Sequence, residues 1–144
     1  MTAKGEKRCH MKILFIVIPA HLFLLLGCVT IYKSEGFGGG YTDLPLGQNR
    51  YRIEVRGNGF TSKQRVQDIA MVRAADLSLQ NDFEYFYVLD STSDERIRRA
   101  NVDSYGNVNT ITNDYFVMII EMTHMTDGVS AQEIIDAVGP RVGL

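Results

Sequence analysis

Tryptophan is absent from this chain, and cysteine, histidine and proline are scarce, at two, three and three residues in 144. A large charge of one sign is also missing. The formal net charge is -2, which argues against a general nucleic-acid binder, since that class needs a basic excess. Two cysteines cannot build the multi-bridge framework that staples small secreted domains. Nor is the chain short of apolar residues. Hydrophobic residues make 45% and charged residues 22%, which excludes a wholly disordered or collagen-like chain. The length suits one domain plus a leader or tail.

The apolar residues are unevenly placed. Lys4, Lys7, Arg8 and Lys12 form a basic start, and Ile13 to Leu26 is then a fourteen-residue run broken only by Pro19 and His21. A charged n-region followed by a short apolar h-region is the pattern of a secretory signal. Met11-Lys12 opens the same pattern and is a second candidate start. The run closes on Leu25-Leu26-Gly27-Cys28, which resembles the lipobox of bacterial lipoproteins. By that resemblance residues 1–27 are cut away and Cys28 becomes an acylated N-terminus. Leu26 departs from the smaller or β-branched residue more usual there. Val29, in place of the aspartate that retains enteric lipoproteins in the inner membrane, favours the outer membrane. The alternative is an uncleaved helix: continuing the run through Tyr32 gives twenty residues, enough to span a hydrocarbon core of ~30 Å. Both readings place the rest of the chain outside the cytoplasm.

Removal of residues 1–27 takes four basic residues and one acid, Glu6. The 15 basic residues fall to 11, the 17 acidic ones to 16, and the net charge becomes -5. One cysteine, Cys28, and one histidine, His124, remain. No disulfide forms within such a chain, and a Cys/His zinc site, which needs four ligands, is not available to it. No metal, cofactor or catalytic residue is expected.

Residues 28–48 read as the lipidated cysteine and a glycine-rich tether, with Gly36, Gly38, Gly39, Gly40 and Gly47. An ordered loop carrying Phe37, Tyr41 and Leu44 onto the domain is the other reading of its second half. Residues 49–144 form the domain. Tyr51, Ile53 and Val55 alternate with charged residues and predict a strand. Thr61 and Gln64 fit a capping box opening a helix that runs to about Gln80, with Val66, Ile69, Ala70, Ala74 and Leu77 on one face. Phe83 to Asp90 and Asp114 to Thr123 predict two further strands, the latter apolar on both faces. The polar stretch 91–112 reads as a long hairpin loop or a ragged edge strand. Ser130 caps a short helix, Ala131 to Val138, stopped by Gly139-Pro140. The expected fold is α+β: a two-layer sandwich of a small antiparallel or mixed sheet and one long helix, in the order β-α-β-β-α.

Arg73 falls within the apolar helix face. A buried guanidinium must be paired and hydrogen-bonded, and Glu54, Glu84 and Asp90 are candidate partners on strands.

The segments Gly38-Gly39-Gly40-Tyr41, Asn49-Arg50-Tyr51-Arg52, Arg56-Gly57-Asn58-Gly59-Phe60-Thr61-Ser62 and Arg73-Ala74-Ala75-Asp76 together resemble a family of small proteobacterial lipoproteins without an assigned biochemical function. The resemblance covers roughly residues 36–90 with the leader and the closing helix. Asn81-Asp82 departs from it. It implies a location and a fold, and no activity.

Other motifs are weak. Gly57-Asn58-Gly59 between strand and helix could present N–H groups to an anion, but the third glycine of a dinucleotide fingerprint is replaced by Ser62; a tight turn needing positive φ is the simpler reading. His124 lacks a nucleophile elbow. Asp94-Glu95 and Asp127 read as solvated acids. Arg96, Arg98 and Arg99 form a cluster too small for typical lipid recognition. Tyr85, Tyr87 and Tyr115 read as core or cross-strand residues rather than a binding surface. The function expected is a non-enzymatic, lipid-anchored envelope module. Its partners are the membrane and a protein or cell-wall component, not nucleic acid; a small-molecule or polymer-binding domain is the alternative.

Overall fold

A computed structural model describes residues 30–102 and 108–144, with backbone alone at 95–102 and 108–111. The order is β1 (Gly40–Gly47), β2 (Arg50–Arg56), α1 (Lys63–Gln80), β3 (Tyr85–Val102), β4 (Val108–Thr123), β5 (Val129–Ser130) and α2 (Ala131–Val142). The fold is α+β, with α1 lying on one face of a five-stranded sheet in the order β1-β2-β4-β3-β5. The pairings between these five strands are antiparallel. The strands expected on either side of α1, β2 and β3, do not pair. Each pairs with β4, which lies between them.

Alternation decides which residues enter the core. Ile53 and Val55 of β2, Phe86 of β3, and Phe116, Met118, Ile120 and Met122 of β4 point toward α1 and are buried. Val66, Ile69, Ala70, Ala74 and Leu77 meet them from α1, as their spacing predicts. Val72 and Ala75 are buried as well, because α2 packs along α1 and encloses more of its circumference than a sheet alone would. Each large apolar side chain so buried contributes roughly 1.5–3 kcal/mol. The opposite sheet face carries Arg52, Glu54, Val117 and Ile119, and no helix among the described residues packs on it.

Three expectations are corrected. The element order is β-β-α-β-β-β-α, because residues 40–47 form an edge strand and 129–130 pair with the start of β3. The segment 30–48 is therefore not slack chain. Alternation of Tyr41, Asp43 and Pro45 toward the helix side gives it a register, and Pro45 is tolerated because an edge strand has N–H groups to spare. Of the stretch 91–112, residues 91–94 continue the sheet beside β4, and residues 95–102 and 108–112 form a two-stranded ribbon. The β2–β4 ladder ends at Arg56 opposite Tyr115, while β3 and β4 continue with each other alone to Val102 opposite Val108. Lastly, Gly139-Pro140 does not stop α2. The helix runs through Pro140 to Val142, and Gly143 caps it in the left-handed conformation. No helix among the described residues is long and apolar enough to cross a membrane. The run from Ile13 to Leu26 and Cys28 lie outside the described residues.

Candidate functional site

Thr30, Gly38, Asn58 and Thr61 meet at one end of the domain. Thr30 is only 2% exposed. Its backbone N–H donates to Thr61 Oγ1 at 3.2 Å, and its hydroxyl donates to the carbonyl of Gly38 at 3.0 Å. Its own carbonyl accepts from Arg65 Nε at 2.7 Å. The same guanidinium reaches the carbonyl of Arg141 at 2.6 Å, tying in the end of α2. Asn58 joins the two glycine turns: its Nδ2 donates to Gly38 O at 3.3 Å, and its Oδ1 accepts from Phe60 N at 3.0 Å.

This arrangement explains the glycines. Gly39 has φ +97, and a Cβ there would stand 2.3 Å from the carbonyl oxygen of Arg56. Gly57 does not adopt positive φ, contrary to the turn expected of it. A Cβ there would crowd its neighbours, at 3.0 Å from Thr61 Cβ and 3.1 Å from Val66 Cγ1. The anion-cradle reading also meets an obstacle. Gly57 N donates to Asp114 O, Thr61 N to Asn58 O and Asn58 N to Thr61 Oγ1, so these N–H groups are already satisfied. The helix starts one residue later than the capping box suggested. Ser62 is the N-cap, accepting from Arg65 N, and Thr61 is held inside.

Arg73 is the centre of a second cluster, on the helix side of β1. Its side chain is 12% exposed. The guanidinium forms a two-pronged pair with Asp43, at 2.9 and 3.0 Å, and a third bond to Asp76 at 2.7 Å. It lies over the ring of Tyr41, 4.6 Å from the centroid. Tyr32 packs at a tilt against Tyr41 and donates its hydroxyl to Asp76 at 2.5 Å. Burial, with the bond to Asp76 second, pushes the Tyr32 hydroxyl well above its ordinary range. For Arg73, burial opposes the charge, yet the bonds to Asp43 and Tyr32 outweigh it and hold the guanidinium protonated.

The expected partners of Arg73 are thus corrected: the pair is with Asp43 and Asp76, not Glu54, Glu84 or Asp90. Glu54 instead pairs with Arg52 and accepts from Tyr115 OH at 2.5 Å on the opposite sheet face. With Nε and both Nη atoms engaged, Arg73 clamps β1 to α1. Asp43 carried no local signal, because its partner lies thirty residues on and the segment around it reads as loop.

The remaining candidates stay dispersed. His124 stacks on Phe83 at 4.6 Å between centroids, beyond the end of β4. The Tyr87 hydroxyl donates to Asp127. Asp94 is exposed on β3; the side chains of Glu95, Arg96, Arg98 and Arg99 lie outside the described residues. Among the described residues no group of three or more His, Cys, Asp or Glu is placed to hold a metal ion. No family model, curated protein or solved structure matches this chain.

Proposed function

We propose that this chain is a bacterial envelope lipoprotein, acylated at Cys28 after loss of residues 1–27. Its α+β domain serves as a non-enzymatic interaction module in the periplasm, with the outer membrane as the favoured location. One observation carries the reading. A basic start and a fourteen-residue apolar run end on Leu-Leu-Gly-Cys at position 28, two residues before Thr30, which is buried in the domain. A lipid attached at Cys28 would hold the body at the membrane. Several acyl chains give stable anchoring, at ~0.8 kcal/mol per buried CH₂.

The non-enzymatic part of the proposal draws support from how the polar groups are used. The two clusters that gather chemically capable side chains spend them on each other and on backbone carbonyls, leaving Arg73, Thr30 and Thr61 as structural clamps. The partner sought is a protein or a cell-wall component.

The test is processing. In cells fed labelled palmitate, the native chain should run at the shortened size and carry label. The Cys28→Ala variant should accumulate as the longer precursor without label. A Cys28→Ala chain that is shortened and labelled like the native one refutes the assignment.

A further inference from the structure

Thr30 is buried and tied by hydrogen bonds to Gly38, Thr61 and Arg65. Only Val29 separates it from Cys28, so their Cα atoms lie within about 7 Å. The interfacial layer on one side of a bilayer is roughly 5–7 Å deep. A lipid on Cys28 therefore leaves no room for a tether. The surface around Thr30 must stand at the head groups.

That surface has the composition such a position requires. The two most exposed large apolar side chains among the described residues are Phe37, at 101%, and Phe60, at 74%. They sit on the two turns that Asn58 joins through Gly38. Ile31, beside Thr30, is exposed as well. Lys33 reaches the carbonyl of Phe37 at 3.4 Å, and Arg65 directs its guanidinium to the carbonyls of Thr30 and Arg141. The neighbouring acids are neutralised, Glu35 by Arg56 and Asp68 by Arg141. Exposed phenyl rings among cations suit an interface between hydrocarbon and anionic head groups.

We propose that Phe37, Phe60 and Ile31, flanked by Lys33 and Arg65, form a bilayer-docking surface that seats the domain on the membrane in one orientation. The proposal rests on the anchor at Cys28 and deepens it: a tether would let the domain tumble, whereas this surface fixes it. The β3–β4 ribbon leaves from the same end, where Gly57 N bonds Asp114 O, so the docked domain also carries the ribbon near the head groups.

The chain contains no tryptophan, which makes single-tryptophan variants clean reporters. Full-length Phe37→Trp, Phe60→Trp and Met125→Trp chains would be purified from membranes and placed in vesicles of phosphatidylcholine and phosphatidylglycerol, with or without acyl-brominated lipid. Met125 is 65% exposed and follows the opposite end of β4. The expected result is loss of most emission at positions 37 and 60 and little loss at 125. Floating vesicles with no quenching at 37 and 60 overturn the docking while leaving the anchor intact. Equal quenching at all three sites overturns the single orientation. Shielding of positions 37 and 60 from aqueous iodide without quenching by the lipid assigns the patch to a protein partner or a second copy, and overturns the bilayer. Chains that neither float nor carry acyl mass overturn the anchor and the docking together.

Discussion

Residues 30–48 and the stretch 91–114 are alike as sequence: polar, broken by glycine or asparagine, and without a clear apolar period. Their fates differ. The first is fixed from several sides, by β2, by Thr61 and Asn58, by Arg65 and by the Arg73 clamp. The ribbon beyond Tyr115 is held by the ladder between its own two strands, and Ser91 to Asp94 at its base are exposed. Fixing a residue's backbone costs roughly 1–2 kcal/mol. A segment poor in apolar side chains meets that cost only where its polar groups find partners elsewhere in the fold. A two-stranded ribbon alone is marginal in water.

The largest expected effect tests the fixed segment. Gly39→Ala forces a Cβ against the backbone of Arg56 from a left-handed conformation and should lower unfolding stability by about 3 kcal/mol or more. Gly36→Ala, with nothing within 4 Å, should stay within about 0.5 kcal/mol. Urea denaturation separates the two; equal, small losses would mean that residues 30–48 are not part of the cooperative unit.

Next comes the clamp. Arg73→Met leaves Asp43 and Asp76 without their cation and should cost about 2 kcal/mol, less than a fully buried pair because both carboxylates retain some water. In a double-mutant cycle with Asp43→Asn, the coupling should be at least about 1 kcal/mol. Additive losses would show that the two side chains do not act together.

A smaller effect is set by pH. The folded chain holds the Tyr32 proton more tightly than the unfolded chain, whose hydroxyl titrates near its ordinary value of 10.0. Stability from this group is complete below about pH 10 and falls as pH rises past it, because the unfolded state then binds fewer protons than the native one. The alkaline slope of unfolding free energy should flatten in Tyr32→Phe. The Tyr87 hydroxyl is raised too, by its bond to Asp127, but that bond is open to solvent. Tyr87→Phe should therefore keep most of the slope, and an unchanged slope in Tyr32→Phe contradicts the clamp.

The smallest effect belongs to the ribbon. Thr112→Ala, exposed and opposite Ile97 in the ribbon, should change stability by no more than about 0.5 kcal/mol. Amide exchange at Ile97 and Thr112 should report a far lower opening free energy than at Ile120 in the core ladder. Equal protection at all three would show that the ribbon is held by more than its own ladder.

These contrasts mark what the sequence made legible. Helix α1 and strands β2 and β4 announce themselves through apolar periods that burial then enforces, as Val66, Ile69 and Leu77 on one side and Ile53, Val55 and Met118 on the other illustrate. Strand β1 was hidden because its stability comes from Asp43 meeting Arg73 and Gly39 meeting Arg56, contacts that no local window contains. Strand β5 is two residues long and carries no period at all. The ends of the helices were misplaced for local reasons: Thr61 faced inward to Thr30 and left capping to Ser62, and Pro140 was accommodated in the last turn before Gly143. Of the candidate site, Arg73 was visible as an anomaly, while Tyr32 and Thr30, lying in apparent linker, gave no sign.

Whether Cys28 carries a lipid is read from the intact mass of the native chain. The expected mass is that of a chain beginning at Cys28 plus acyl groups. A chain retaining residues 1–27 with a free thiol at position 28 contradicts the proposed acylation.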